Sequence, residues 1–463
     1  MGAVVALVLG TLLLSIVDSG TRHLVGGVVR ILPLVLLAAL AAPVLVWIAR
    51  RPQRGILLVA AFVPYYGLLL IVPHKPPFAE GWKEALTLYT LIWAFVRSPR
   101  RAGARGAWPK VVQPMLAYAA IGIASAVFIA PLVQGAVGVK VDYFWLLLAL
   151  AAWQCPLDAS DRDRLVSIVM CDALVTSLVG LAQQAVGHAR LYALGYQYNS
   201  TIRFTGRFLR SFSTFATPFN FAFFLAFALI VTVPVCLEDR ARLRNRLFLY
   251  TTPIVLVALA FTFVRGAWLE VGVAAMYLAV RRYRVLLLLA PLAVVALLVL
   301  PGQFSASALS DQSLQERSVG WSQNLSHALS RPVGNGIGTT GASGQKATQV
   351  EGTTATTFVY EPDNQYYKAL YELGVFGLWM LVFLLVSVLL ESRRCERVLA
   401  GTDLALACAT SGLVLGAMVA SAVSTWLEIF PNDMYLWLVL TVVVTAAREP
   451  QFGRVESALV RTP

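Results

Sequence analysis

Arginines beside apolar segments are the residues in this sequence that suggest a chemistry most directly. Arg203, Arg207 and Arg210 precede the apolar run 219–235, and Arg265 lies between two further apolar runs. An arginine at the edge of hydrocarbon is costly, so it usually marks an anion site or an ion pair. The guanidinium group holds phosphate oxygens through paired hydrogen bonds. The pattern therefore predicts a phosphate-binding site, with a structural ion pair as the alternative.

The spacing of these arginines suggests how they are presented. Arg203, Arg207 and Arg210 are four and three residues apart, which would place them on one face if the segment were helical. Arg265 has a second interpretation, as a helix-end arginine whose charged head extends to the membrane surface.

Two carboxylates, Glu361 and Asp363, stand just before a long apolar run in the segment EPDNQYY. Such a carboxylate would act as a general base on a hydroxyl or would cap the helix that follows; both interpretations are open. The glycine-rich segment GNGIG matches neither a P-loop nor a dinucleotide fingerprint, so Gly334, Gly336 and Gly338 are predicted to form a turn.

Histidines and cysteines give no sign of a metal site. The four histidines are scattered along the chain, and the five cysteines include no CxxC pair. The sequence therefore predicts neither a metal, nor a cofactor, nor a disulfide framework.

Composition identifies the class of protein. Of the 463 residues, 58% are hydrophobic and only 13% are charged, whereas soluble domains carry roughly 25% charged residues. The net charge of +13 does not indicate nucleic-acid binding, because most basic residues lie in short loops between apolar runs, where they set membrane topology. We expect an all-α polytopic membrane protein.

Apolar runs long enough for membrane helices number fourteen. The predicted spans are 3–17, 31–49, 55–73, 81–97, 111–130, 138–155, 164–186, 216–236, 247–263, 266–281, 284–301, 365–391, 403–422 and 433–447. The first is expected to be a membrane helix and not a cleaved signal, because no basic segment precedes it.

Basic clusters orient these spans. They follow every second span, at 50–54, 97–105, 162–164, 240–246, 281–284, 393–397 and 448–454. The positive-inside rule makes those ends cytoplasmic, together with both termini. The arginines at 203–210 and Arg265 then fall on the same outer face.

The expected organisation is one membrane domain over 1–463. Its parts are N-terminal helices (1–187), a basic external loop (188–215), a large external loop (302–364) between the eleventh and twelfth spans, C-terminal helices (365–447) and a cytoplasmic tail (448–463). A loop of such length is typically functional or disordered. We expect an ordered external lid, with a short amphipathic helix at WSQNLSHALSRP and the glycine turn after it.

Four segments together resemble the O-antigen ligase and O-antigen polymerase superfamily, and they occur in that family's order. The segments are RSFSTFATPFNFA (210–222), FTFVRGAWL (261–269), ERSVGWSQNLSHALSRPVGNGIG (316–338) and DNQYYKALYELGVFGL (363–378). The resemblance implies a membrane glycosyltransferase that handles undecaprenyl-pyrophosphate-linked glycans.

The resemblance also implies roles for individual residues. Arg210 and Arg265 match arginines that bind the pyrophosphate, and Arg317 matches a further motif arginine. Glu372 and Gly374 match the helix that follows the external loop. Where a ligase has the histidine that activates the acceptor hydroxyl, this chain has Asp363.

That departure favours a polymerase over a ligase. The expected substrates are undecaprenyl-pyrophosphate-linked donor and acceptor glycans in the bacterial cytoplasmic membrane, with chain-length regulator and flippase proteins as possible partners. Arg203, Arg207, Arg210, Arg265 and Arg317 would bind pyrophosphate, and Asp363 or Glu361 would be the base. The alternatives are a ligase and a flippase; the flippase is disfavoured by spans with few charges in their middles and by the lack of an internal repeat.

Overall fold

The computed structural model of this chain describes residues 41–71, 81–98, 109–196, 204–205, 208–288, 325, 328–351 and 360–448. Its α-helices, numbered in chain order, are α1 (Ala41–Arg50), α2 (Gln53–Phe62), α3 (Trp82–Arg97), α4 (Val112–Phe128), α5 (Leu132–Tyr143), α6 (Leu146–Gln154), α7 (Ala159–Val186), α8 (His188–Ala193), α9 (Pro218–Glu238), α10 (Leu243–Ala260), α11 (Arg265–Arg281), α12 (Gly341–Glu351), α13 (Gln365–Cys395), α14 (Gly401–Ala420) and α15 (Asn432–Ala446). Short 3₁₀ helices cover Val63–Ile71, Arg284–Leu288 and Trp426–Glu428, and a hairpin joins β1 (Phe204–Thr205) to β2 (Phe208–Leu209). The predicted all-α class is confirmed.

Among the residues that the structure describes, four helices are long and apolar enough to cross a membrane: α7, α9, α13 and α14. The bent pair α5 and α6 makes a fifth crossing if it counts as one span. The predicted span 3–17 lies outside the described residues, as does much of 31–49 and 284–301. The chain is thus a helical membrane protein, with four or five long spans described where the sequence predicts fourteen.

The predicted span 138–155 is bent in the structure, where α5 and α6 meet at an angle of 45°. Helix α5 carries Lys140 and Asp142, whose charges are unfavourable in hydrocarbon. Each charge has a partner: Lys140 Nζ lies 3.0 Å from Glu84 Oε1, and Asp142 Oδ2 lies 3.1 Å from Lys368 Nζ. The bend therefore brings α5 to a group of charged side chains.

Helix α9 lies at the centre of the packing, against α7, α10, α11 and α14. Four of its phenylalanines are at most 1% exposed: Phe221, Phe223, Phe224 and Phe227. A helix that is apolar on all sides is expected inside a bundle. The Thr217 side chain caps its first turn by accepting a hydrogen bond from Asn220 N. The centre of the bundle therefore fixes the position of the arginine-bearing segment that leads into α9.

The described residues of the segment before α9 are two short strands, so a continuous helix over 203–210 is not found. Strands β1 and β2 pair antiparallel, with Thr205 opposite Phe208. The phenylalanines and the threonine of these strands are residue types that favour strands. Arg210 follows β2 directly, whereas Arg203 and Arg207 lie outside the described residues.

The glycine-rich segment of the external loop forms the predicted turn. All three of its glycines have positive φ: Gly334, Gly336 and Gly338. The turn packs on a membrane helix, because Ile337 N donates a 3.0 Å hydrogen bond to Ser125 Oγ of α4. The predicted short helix is described only at Leu325 and 328–330, which are helical. Helix α12 is not predicted by the sequence, since GASGQKATQVE has no apolar periodicity.

Helix α13 is interrupted at Gly374, whose φ of 70° and ψ of −168° are not helical. The external loop supplies partners for the interrupted backbone. Gly336 N donates to Glu372 O at 3.0 Å, and Val375 N donates to Pro332 O at 3.1 Å. Backbone groups at membrane depth need such partners. The break in α13 and the docked loop therefore depend on each other.

Replacing Gly374 by alanine is expected to destabilise this contact by about 1–3 kcal/mol, because a side chain at positive φ is strained. A Cβ at this position would also lie 1.9 Å from Pro332 O. The measurement is thermal unfolding of the purified protein, together with proteolytic cleavage of the loop. Gly272→Ala is the matched control, because a Cβ at Gly272 meets nothing within 4 Å. Equal stability of both variants would contradict the proposed contact.

Candidate functional site

Arg210 is a buried cation in the segment that leads into the central helix α9. It is only 5% exposed; its Nε donates to Thr262 O at 3.1 Å, and its guanidinium lies 5.0 Å from the centre of the Phe219 ring. Ser211 N also donates to Phe261 O at 2.9 Å. These hydrogen bonds join the Arg210 segment directly to the segment that leads to Arg265.

Gln183 of α7 bonds the backbone of the loop after Arg210 at several points. Gln183 Oε1 accepts hydrogen bonds from Phe212 N at 3.3 Å and from Ser213 N at 2.8 Å, and Gln183 Nε2 donates to Ser213 O at 2.8 Å. Ser213 has a φ of 53°, which costs free energy in a residue with a side chain. The glutamine therefore holds a strained backbone next to the arginine.

Arg265 is the first residue of α11 and is half-buried. Phe263, two residues earlier, has a φ of 54°. The first turn of a helix carries free backbone N–H groups and the positive end of the helix dipole, both of which favour an anion. The guanidinium of Arg265 and the start of α11 therefore combine two positive features beside Arg210.

A turn at 421–424 connects the arginines to the predicted base. On one side it meets the start of α11, because a Cβ at Gly266 would lie 3.9 Å from Ser424 Oγ. On the other side it meets the start of α13, because Gln365 N donates to Ser421 O at 2.8 Å. The structure thus places the Arg265 and Asp363 segments on two sides of one turn.

Asp363 is half-buried and has a φ of 47°. The helix cap is provided by its neighbour, since Asn364 Oδ1 accepts a hydrogen bond from Tyr367 N at 3.0 Å. The capping interpretation of the two carboxylates is therefore wrong. Asn364, and neither Asp363 nor Glu361, is the N-cap residue of α13.

Glu361 is open to solvent but has polar and charged neighbours. Its carboxylate accepts a hydrogen bond from Gln345 Nε2 of α12. Desolvation by surrounding atoms, followed by the charges of Asp363 and Glu428, raises the pKa of the Glu361 carboxyl. A raised pKa brings a carboxyl group closer to the pH at which a general base works best.

A buried charged cluster beside these carboxylates is the main feature that the sequence does not reveal. Its centre is Lys368 on α13, which is 2% exposed. Lys368 Nζ lies 2.8 Å from Glu372 Oε2, 3.1 Å from Asp142 Oδ2 and 3.5 Å from Glu428 Oε1. The four residues come from α5, α13 and the 3₁₀ helix before α15, so one lysine joins three elements.

The same cluster binds the first turn of α12. Glu372 Oε1 accepts hydrogen bonds from Thr340 N at 2.9 Å and Thr340 Oγ1 at 2.8 Å. Glu428 Oε1 accepts from Ser343 N at 3.2 Å and Ser343 Oγ at 2.7 Å. Carboxylates are favourable at a helix N-terminus. The cluster therefore holds the loop before α13 on the membrane helices, next to Glu361 and Asp363.

Three of the predicted site residues lie outside the described residues: Arg203, Arg207 and Arg317. Within the described part of the chain, no three or more His, Cys, Asp and Glu side chains come together as a possible metal site.

Comparison with known proteins agrees with the motifs. The family model described as O-antigen ligase matches residues 251–382, a range that includes Arg265, Asp363, Glu372 and Gly374. A comparison with curated proteins finds no match. The resemblance of the motifs to the O-antigen ligase and polymerase superfamily is thus confirmed over residues 251–382, whereas the motif segment 210–222 lies outside the matched range.

Proposed function

We propose that the protein polymerises undecaprenyl-pyrophosphate-linked oligosaccharide repeat units on the outer face of the bacterial cytoplasmic membrane. The observation that carries this proposal is the meeting of the Arg210 and Arg265 segments, with the Asp363 segment across one turn. Guanidinium groups can stabilise the negative charge of a departing pyrophosphate, and a carboxylate can accept the proton of an acceptor hydroxyl. The family match supports an enzyme of this general kind.

The proposed reaction is a single displacement at the anomeric carbon of the donor. The acceptor hydroxyl forms the new C–O bond and gives its proton to Asp363 or Glu361. The bond to the pyrophosphate oxygen breaks, with inversion at the anomeric carbon. Arg210 and Arg265, with Arg203, Arg207 and Arg317 as further candidates, neutralise the departing pyrophosphate. The docked external loop would keep water, a competing acceptor, away from the donor.

A polymerase is favoured over a ligase by Asp363, which stands where ligases have histidine. The proposed topology places both termini in the cytoplasm and the 188–215 and 302–364 loops outside. A chain-length regulator and a flippase are proposed partners. A flippase function for the chain itself is less well supported, because two of the buried acids in the helices are hydrogen-bonded to neighbouring rings: Asp172 to Tyr65 Oη and Glu270 to Trp426 Nε1.

The raised pKa of Glu361 predicts an acid limb in the pH dependence of transfer. A base must be deprotonated, so activity is expected to fall as the pH drops through this raised pKa, at a higher pH than for an ordinary glutamate. The measurement is the transfer rate of the purified protein in nanodiscs, with extracted lipid-linked repeat units. Glu361→Gln should remove the limb. If Glu361→Gln keeps the limb and Asp363→Asn removes it, Asp363 is the base and the prediction for Glu361 is wrong.

The function itself is tested in a deletion strain that carries either the wild-type gene or a variant, with polymer length read on a gel. The wild type is expected to restore a ladder of repeats, and Arg265→Ala is expected to abolish it at equal protein level. Attachment of preformed polymer to an acceptor lipid would instead establish a ligase. Repeat units that reach the outer face only when the protein is present would establish transport.

A further inference from the structure

A second basic site lies at the C-terminal end of α11, opposite the end that carries Arg265. A cavity of about 390 Å³ is lined by Arg281, Leu390, Arg393, Arg394 and Arg397, where the ends of α11 and α13 meet. Arg265 and Arg281 are sixteen residues apart on α11, a distance of about 24 Å along a helix. The cavity therefore belongs to the opposite, predicted cytoplasmic, membrane face and takes no part in the proposed reaction.

The charge of this cavity is only partly balanced. Arg281 pairs with Glu396 at 2.9 Å, and Arg394 pairs with Glu391 at 3.0 Å. Arg393 lies over the Tyr277 ring, 5.7 Å from its centre. Within the described part of the chain, no carboxylate lies at ion-pair distance from Arg393 or Arg397. Four guanidinium groups against two carboxylates leave an excess of two positive charges, which fits an anion with phosphate oxygens.

An apolar groove continues from the arginine cavity along the membrane helices. It has a volume of about 660 Å³, and it shares Leu390 and Arg394 with the first cavity. One wall is α4 with the residues before it, including Val111 and Ala117, and the other wall is α13, including Met380 and Phe383. Leu390 is 50% exposed and Phe383 47% exposed. These side chains face the lipid, as expected on the outside of a membrane bundle.

We propose that the two cavities together bind one anionic glycerophospholipid. Its phosphodiester group lies among Arg281, Arg393, Arg394 and Arg397, and one acyl chain follows the groove between α4 and α13. Basic pockets between membrane helices on the cytoplasmic side are suited to anionic lipid headgroups. Both volumes fall within the roughly 300–1,000 Å³ of ligand pockets. A small phosphate ion would use the arginine cavity alone, whereas a lipid uses both cavities.

The test measures the thermal stability of the delipidated full-length protein in detergent. A ligand that binds only the folded state raises Tm with its concentration. We expect phosphatidylglycerol to raise Tm, and phosphatidylcholine, short-chain phosphatidylglycerol and inorganic phosphate to do so much less. Arg393→Gln/Arg397→Gln is expected to weaken the phosphatidylglycerol effect by roughly tenfold or more in concentration.

The matched control is Arg240→Gln/Arg246→Gln, which removes the same charge from two exposed arginines on the same predicted membrane face. It should leave the phosphatidylglycerol effect unchanged. An equal loss in both double variants would show general surface attraction and overturn the site. An equal shift with inorganic phosphate would show a small-anion site and overturn the lipid assignment. Neither result depends on the proposed polymerase function, which the polymer ladder tests separately.

Discussion

Replacing Arg210 by alanine is expected to lower glycosyl transfer by roughly 100- to 1,000-fold, the usual loss when one fixed donor to a developing negative charge is removed. The guanidinium is buried and held by Thr262 O, so it is oriented before the substrate arrives. Arg210→Lys is expected to restore little, because an ammonium group lacks the planar fork that binds two phosphate oxygens. The measurements are polymer length in cells and the transfer rate in nanodiscs.

Arg190→Ala is the matched control for this prediction. Arg190 lies on α8 in the same connection between α7 and α9, and its side chain is exposed. We expect this variant to make polymer of normal length. Wild-type transfer by Arg210→Ala, at equal protein level and equal Tm, would remove Arg210 from the pyrophosphate site and leave Arg265 as the candidate.

Replacing Lys368 by methionine is expected to destabilise the protein by about 3–5 kcal/mol, because removal of one partner leaves buried charges uncompensated. Asp142, Glu372 and Glu428 would then lie close together without their shared cation. Repulsion among them should also loosen the contact with Thr340 and Ser343 at the start of α12. The expected results are a lower Tm and faster proteolysis within 341–351.

Two further variants show whether the cluster causes the effect. Lys140→Met removes a lysine that is 59% exposed and pairs with Glu84, so a loss of about 1 kcal/mol or less is expected. Adding Glu372→Gln to Lys368→Met should cost less than the sum of the two single changes, because the residues are in contact. A wild-type Tm for Lys368→Met would show that the cluster does not hold the loop.

The long apolar helices could be read from the sequence because hydrocarbon length and composition require no information about partners. The predicted spans 365–391 and 403–422 correspond to Gln365–Cys395 and Gly401–Ala420. The bend between α5 and α6 could not be read in this way. It depends on charged residues of α5 whose partners lie far along the chain.

The candidate site was predictable only in part, for a related reason. The motif segments with Arg210, Arg265 and Asp363 stand out locally, and topology placed the arginines on one face. Lys368 does not stand out, because a lysine four residues before a glutamate is also a common pair on a helix surface. Its partner Asp142 is 226 residues away, so only the folded chain shows the cluster.

The interruption of α13 at Gly374 has a consequence for the order of assembly. Val375 N takes its partner from the loop, at Pro332 O, but beyond this first turn the membrane part of α13 can complete its own hydrogen bonds as it enters the bilayer. The turns of α13 from Gln365 to Leu373 accept hydrogen bonds from the loop that precedes α13 in the chain. This loop is synthesised earlier than α13, so it can dock only after α13 is in place. The contact between this loop and α13 is therefore expected to form last, after the membrane bundle is in place.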